Sequence, residues 1–401
     1  MKTFSLNTLT RKEMLALSAI SFLFGLSIMS LAPRTPDLKA NLGVSNGTFG
    51  TLLSISSIGG LVMLLIGGQL VSKIGSKLAL HLGSTVIAVA FITLSQTNSV
   101  IIFSIANIAA GTGIATYHIA STGHTLNRQA EINRTILPKL HGAWGVGALL
   151  TAAIAFLVAD HVSVSVHITA LMVCVWLLTQ YAILWLSPTF PVKEESADNS
   201  QLTTLKQFKL QISWFLGIGF FCASLPEHIV ADWATLFGKE ELNLPASSST
   251  LSYLVFTLGL IIGRFLVGYA LKFQSESFWL RLGGIVGGFS FTLLIISSTL
   301  LIDLNRQLAI TIAFLGFFLA GLGSSAMSPL FFSIAGRLSN RNSAIVVAQM
   351  SFVNVLMLFF ARTILAWVIE ATSITVALFI AAAAMSSLFY FGKIGSDSRS
   401  K

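Results

Sequence analysis

A run of about twenty largely apolar residues leaves a chain few options. Lipid offers no water to satisfy backbone N–H and C=O groups, so the segment must close its hydrogen bonds within a helix or join a closed barrel. This sequence contains twelve such runs, over residues 14–32, 47–71, 78–96, 99–122, 139–159, 165–187, 211–237, 247–271, 278–301, 308–333, 344–369 and 374–392. No series of alternating ten-residue strands occurs, which excludes the barrel. The expected fold is an all-α integral membrane protein of twelve transmembrane helices. Charge agrees: 10% of the 401 residues are charged, with a mean hydropathy of +0.83, whereas a soluble domain carries about 25% charge.

The separators are short except for residues 188–210, SPTFPVKEESADNSQLTTLKQFK, which are polar, hold two prolines and mix both charge signs. This reads as a linker (188–210) between an N-terminal six-helix bundle (1–187) and a C-terminal one (211–401). Weak internal repetition agrees. Span 4 carries GTGIATYH (Gly111–His118) and span 10 carries GLGSSAMSP (Gly321–Pro329), while GGQLVSKIG (Gly67–Gly75) in span 2 has GRFLVGYALK (Gly263–Lys272) in span 8. Paired halves with glycine-rich or broken helices at matching positions suit alternating access, although helix packing alone also asks for small residues.

The net charge of +9 is not read as a nucleic-acid footprint, because the basic residues sit between apolar runs and orient the chain. With the N-terminus inside, eighteen Lys and Arg fall on that side, among them Lys73, Lys77, Arg128, Lys193, Arg337 and Arg341. Four, Arg34, Lys39, Lys239 and Arg306, fall opposite. Both termini are expected in the cytoplasm, with the first span retained rather than cleaved as a signal peptide. Cys174 and Cys222 lie in separate spans without metal spacing and are expected as free buried thiols.

Ser224–Phe237, SLPEHIVADWATLF, places Glu227, His228 and Asp232 inside an apolar run. A carboxylate at bilayer depth costs roughly 2.5–3.5 kcal/mol on insertion scales, so it lines a cavity or finds a partner. At about 100° per residue His228 and Asp232 share a face, while Glu227 points roughly 140° from Asp232, unless Pro226 breaks the helix. Arg264 and Arg362 also fall inside spans and are the expected partners. Such pairs would line a site or simply fix one helix against the next. Glu370 reads as an interfacial end residue. In the first half Asn107, Tyr117, His118, His141 and Trp144 are the polar and aromatic choices, with His141 and Trp144 on one side of span 5. Trp144 and Trp233 would stack on a flat solute or belt the interface. Gln349 and Asn354 are lesser choices that would equally serve as inter-helix hydrogen bonds.

Gly68–Lys77, GQLVSKIGSK, resembles the signature that follows the second span in the major facilitator superfamily. Gly68, Leu70, Gly75 and Lys77 match and Lys73 matches as a base, whereas Ser72 replaces the signature's acid and Ser76 a base. The glycines imply a tight turn and close packing, and the acid's absence removes part of the charged latch. LPKLHGAWGVGALLTA (Leu137–Ala152) and PEHIVADWATLF with YLVFTLGLIIGRFLVG (within Pro226–Gly268) resemble the YbjJ-like inner-membrane branch, near the fucose-permease-type sugar symporters. The resemblance implies the major facilitator fold and a secondary transporter. The carboxylate those symporters carry in span 1 has no counterpart in Ala16–Ala32.

Enzyme motifs are absent: there is no serine elbow, zinc His-Glu-x-x-His or phosphate-binding loop, so no cofactor or metal is expected. The expected partners are the lipid bilayer, a small sugar-like or other polar or amphipathic solute and a coupling proton, with no nucleic acid. A drug or metabolite exporter, or a non-transporting receptor on the same scaffold, is the alternative.

Overall fold

The computed structural model describes residues 11–132, 136–187, 214–338 and 343–392. The linker 188–210 and several tail or loop bases, including Lys193, Arg341 and Lys393, lie outside the described residues. All regular structure among the described residues is helical.

Span 1 is α1 (Arg11–Ile28), a 3-10 turn (Ala32–Arg34) and α2 (Thr35–Leu42), and span 2 is α3 (Asn46–Ser54) plus α4 (Ser56–Ile74). Spans 3 to 6 are α5 (Ser76–Gln96), α6 (Val100–Ile132), α7 (Leu137–Val158) and α8 (Val164–Leu184). Span 7 is α9 (Trp214–Leu236), which a π turn (Phe237–Glu241) joins to span 8, α10 (Ala246–Ala270). Span 9 is α11 (Glu276–Gly283), a π turn (Gly284–Phe289) and α12 (Ser290–Leu301). Span 10 is α13 (Arg306–Ser324) with α14 (Met327–Leu338), and spans 11 and 12 are α15 (Ser343–Ala371) and α16 (Ile374–Phe391).

Among the described residues eleven spans are long and apolar enough to cross a membrane. α9, the remaining helix of span length, carries Pro226, Glu227, His228 and Asp232 in its otherwise apolar run. Its helix nevertheless runs unbroken through Pro226, so the expected alternative of a break there does not hold.

Packing recurs six spans later. α4 lies on α6 as α10 lies on α13, and α1 lies on α8 as α9 lies on α16. The glycines explain how the backbones come so close. A Cβ on Gly111 would strike the Ser56 carbonyl oxygen, and one on Gly321 would strike the Phe256 carbonyl oxygen. These are corresponding positions of spans 4 and 10, each facing span 2 or its counterpart.

We call the end where span 1 begins the near face and the end where spans 1 and 7 finish the far face. Hydrogen bonds join the first six spans to the last six toward the far face. Lys39 Nζ lies 2.6 Å from Glu240, and the Asn46 amide donates to the same carboxylate at 3.1 Å. The Gly47 N–H donates to Glu370 at 3.0 Å, and the Ser247 N–H to Asp160 at 2.9 Å. Ser54 and Thr363 hydroxyls meet at 2.8 Å. α3 packs mainly on α15, and α7, which packs most closely on α1, also packs on α10.

Three sequence expectations need correction here. Arg34 and Arg128, counted among loop bases, are 1% and 2% exposed. Each is paired: Arg34 with Asp37, His167 and the Val162 carbonyl, Arg128 with Glu13 and Glu131. Cys174, expected to be buried, is an exposed free thiol, because α8 turns that face away from the helices around it. Of the two signature glycines, Gly75 adopts φ 85° and makes the turn, whereas a Cβ on Gly68 would meet open space. Ser72, standing where the signature has an acid, turns its hydroxyl back to the Gln69 carbonyl at 2.8 Å. Lys73 is exposed, and Lys77 donates to the Leu186 carbonyl at 2.5 Å.

Candidate functional site

The continuous α9 makes the angular arithmetic of the sequence apply. Glu227 and Asp232 leave the helix in directions that reach different neighbours. Glu227 meets Arg264 of α10, with Nη2 3.1 and 3.0 Å from its two carboxylate oxygens. Asp232 meets Arg362 of α15 in a fork, Nε to Oδ2 and Nη2 to Oδ1, both 2.7 Å. A carboxylate and a guanidinium offset each other's desolvation only while both are present.

The two pairs differ in access. Arg362 and Asp232 side chains are 14% and 13% exposed, against 29% and 22% for Arg264 and Glu227. They also differ in saturation. Arg362 uses two nitrogens on its partner, whereas Arg264 commits Nη2 alone and its buried Nε has no hydrogen-bond partner. Between the carboxylates, His228 is half-buried with Nδ1 3.0 Å from the Ser224 carbonyl. A carbonyl only accepts, so Nδ1 carries the proton and Nε2 is left as the variable nitrogen.

Spans 4 and 5 supply the other wall. The Trp144 ring lies 5.7 Å from the Arg264 guanidinium carbon, a cation–π distance. His141, one turn earlier on α7, is exposed and electrostatically adjacent to Arg264. His118 on α6 is exposed as well and is electrostatically adjacent to His141. A line of ionisable groups therefore runs from His118 through His141 to Arg264 and Glu227, crossing from the first six spans to the last six.

Other expected residues sit elsewhere. Asn107 is buried and donates to the Leu52 carbonyl at 2.6 Å, just before the break between α3 and α4. Asn354 accepts from the Ser224 hydroxyl at 2.7 Å, tying span 11 to span 7. Trp233 is 1% exposed and fills the notch left by Gly50 of α3. In this conformation all three make inter-helix contacts and do not join the line of groups above. Tyr117 is buried, stacks on Phe24 at 4.6 Å and donates to the Ile20 carbonyl.

The ion cluster that sequence reasoning missed lies toward the near face. Arg128 donates to Glu13 at 2.7 and 2.9 Å and to Glu131 at 2.5 Å, with Glu13 1% exposed. Glu13 lies three residues ahead of Ala16–Ala32, the stretch of span 1 without a carboxylate. Glu13 was visible as an acid in the first turn of an apolar helix, a place the helix dipole favours.

Twelve packed apolar helices with ion pairs at the seam between two sixes define a multi-pass membrane protein built as a transporter. Residues 17–362 match the model of the Major Facilitator Superfamily, and the chain belongs to that family. It is 23% identical over 362 residues to an MFS-type transporter of Yersinia pestis, covering 89% of this chain and 88% of the relative. It is 23% identical over 317 residues to transporter y4wD of Sinorhizobium fredii, covering 78% and 79%. Its fold is similar to that of a point mutant of the nucleoside transporter NupG, with TM-score 0.74 and 14% identity over 95% of this chain and 99% of that one. It is likewise similar to a D-xylose–proton symporter, with TM-score 0.73 and 14% identity over 97% and 99%.

Proposed function

We propose that this chain is a secondary active transporter that moves a small polar solute by alternating access, coupled to protons. The six-span sets, 1–187 and 211–401 about the linker 188–210, rock as bundles. The near face is cytoplasmic in a bacterial inner membrane. The motifs around His141, Asp232 and Arg264, which resemble the YbjJ-like branch, support assigning it to that branch. One observation carries the reading: Glu227 and Arg264 form an ion pair at bilayer depth that is 22% and 29% exposed, alongside exposed His118 and His141 from the opposite six spans. Ionisable groups at bilayer depth that remain accessible mark a solute or proton path. Far-face bonds joining the sixes, such as Lys39 with Glu240, fit a conformation whose path opens to the near face. The activities of the structural neighbours, nucleoside transport and proton-coupled xylose transport, accord with this reading.

The test is flux into proteoliposomes across sugars, nucleosides, organic acids and amines, with and without an imposed pH gradient. Accumulation driven by the gradient is expected for one class. No flux of any class under either condition would overturn the reading.

A further inference from the structure

We propose that Arg264 anchors the carboxylate of a small organic anion, which displaces Glu227 from the guanidinium and leaves Glu227 to carry the coupling proton. The inference rests on the transporter reading and names its solute class. It begins from unequal use of two arginines. Arg362 has Nε and Nη2 on Asp232 in a complete fork. Arg264 spends one nitrogen on both oxygens of Glu227, while its Nε has no hydrogen-bond partner. A guanidinium presents donors in pairs that match a carboxylate, so Arg264 is coordinated below its capacity. It is also the more accessible of the two, at 29%.

Which partner a solute replaces follows from what each can do once stranded. An incoming cation would take Glu227 and leave Arg264 alone, and a guanidinium cannot shed its charge in a protein. An incoming anion would take Arg264 and leave Glu227 alone, and a carboxylate becomes neutral by accepting a proton from the solution that delivers the anion. Charge is then conserved: before exchange the pair is one minus and one plus, and after it the anion faces Arg264 beside a neutral Glu227. One anion enters with one proton and no net charge is added to the seam.

The surroundings fit this exchange. Trp144 covers the guanidinium at 5.7 Å, leaving its edge for hydrogen bonds. Besides its pair with Arg264, Glu227 is electrostatically adjacent to His228 on α9 and Tyr253 on α10, and His228 in turn adjoins Asp232 on α9 and Arg362 on α15. Arg362 is held by Asp232, so it does not compensate a stranded Glu227. His141, against Arg264 from α7, offers a second donor to the anion. Along α13 and α16, also packed on α9, the ionisable residues Arg306 and Tyr390 stand at the helix ends.

Purified protein is titrated with small monocarboxylates (lactate, pyruvate, gluconate and benzoate) and with the neutral glucose and uridine. Binding is followed by tryptophan fluorescence against Trp144→Phe, and proton uptake by a dye in weak buffer. At least one monocarboxylate is expected to bind with about one proton taken up, its affinity falling about tenfold per pH unit on the alkaline side. Glu227→Gln should bind that anion more tightly, with no proton uptake and no pH dependence. The double variant Glu227→Gln with Arg264→Gln, which strands no charge, should fold and lose binding. The proposal is overturned if no monocarboxylate binds, if binding takes up no proton, or if the double variant binds undiminished. Carboxylate binding with proton uptake but no flux would leave this assignment standing and remove the transporter reading instead.

Discussion

Arg362 grips Asp232 through two parallel hydrogen bonds of 2.7 Å, 130 residues apart in sequence, and so fixes span 11 against span 7. A pair this closed and this little exposed behaves as a structural unit whose halves are not independently removable.

Asp232→Asn should therefore destabilise the protein by about 3 kcal/mol, because Arg362 is left charged without a counter-ion. Adding Arg362→Gln should restore most of the loss. Thermal unfolding in detergent reads both. Flux of Asp232→Asn equal to wild type would remove any coupling role from this residue.

Glu13 and Arg128 make the same argument toward the near face, with less water available. Glu13→Gln should cost about 3–5 kcal/mol, and the double variant with Arg128→Gln should cost less than either single. Solute affinity in the folded fraction should not change, since neither residue joins the line from His118 to Glu227. An altered affinity would place this cluster in the transport path.

Gly111 and Gly321 predict a matched pair of defects. Alanine at either position drives a methyl group into a carbonyl oxygen of the helix opposite, and overpacking of this kind costs about 1–3 kcal/mol. Both variants should lower the melting temperature by similar amounts. A neutral Gly321→Ala would show that spans 8 and 10 yield where spans 2 and 4 do not.

Asp160 lies in the far-face loop after α7 and is held below the usual carboxylate range, first by the Ser247 hydroxyl and then by the Ser247 N–H. A depressed carboxylate contributes stability that is present above its ordinary value and lost as pH falls through the lowered one. This far-face contact should thus hold unchanged through neutral and mildly acidic pH. Ser247→Ala should return Asp160 toward the ordinary range and make a cysteine at Asn46 label faster. Labelling that changes between pH 8 and 6 in the wild type would assign the contact's titration to another group.

The sequence exposed the twelve spans, the outlying polarity of span 7 and the angular separation of Glu227 from Asp232, because hydropathy and helical pitch are local properties. It did not say which arginine each carboxylate meets, since Arg264 and Arg362 are remote in sequence and only packing chooses between them. Asn107, Asn354 and Trp233 illustrate the same limit. An amide or indole in a membrane helix satisfies itself equally against a solute or a neighbouring helix, and the neighbour's position decides. Arg34, Arg128 and Glu13 escaped for another reason. Charges at the ends of apolar runs look like loop residues until a partner from a remote span is found beside them.

The break between α3 and α4 at Ile55 divides span 2 between two owners. Above it α3 leans on α15 and shares bonds with Thr363 and Glu370; below it α4 belongs with α6. The moving parts of this carrier thus need not be the parts that the linker separates. Any swing that parts the outer ends must either peel Asn46–Ser54 away from span 11 or fold the second span at that joint, and paired labels on α3 and α4 would tell which.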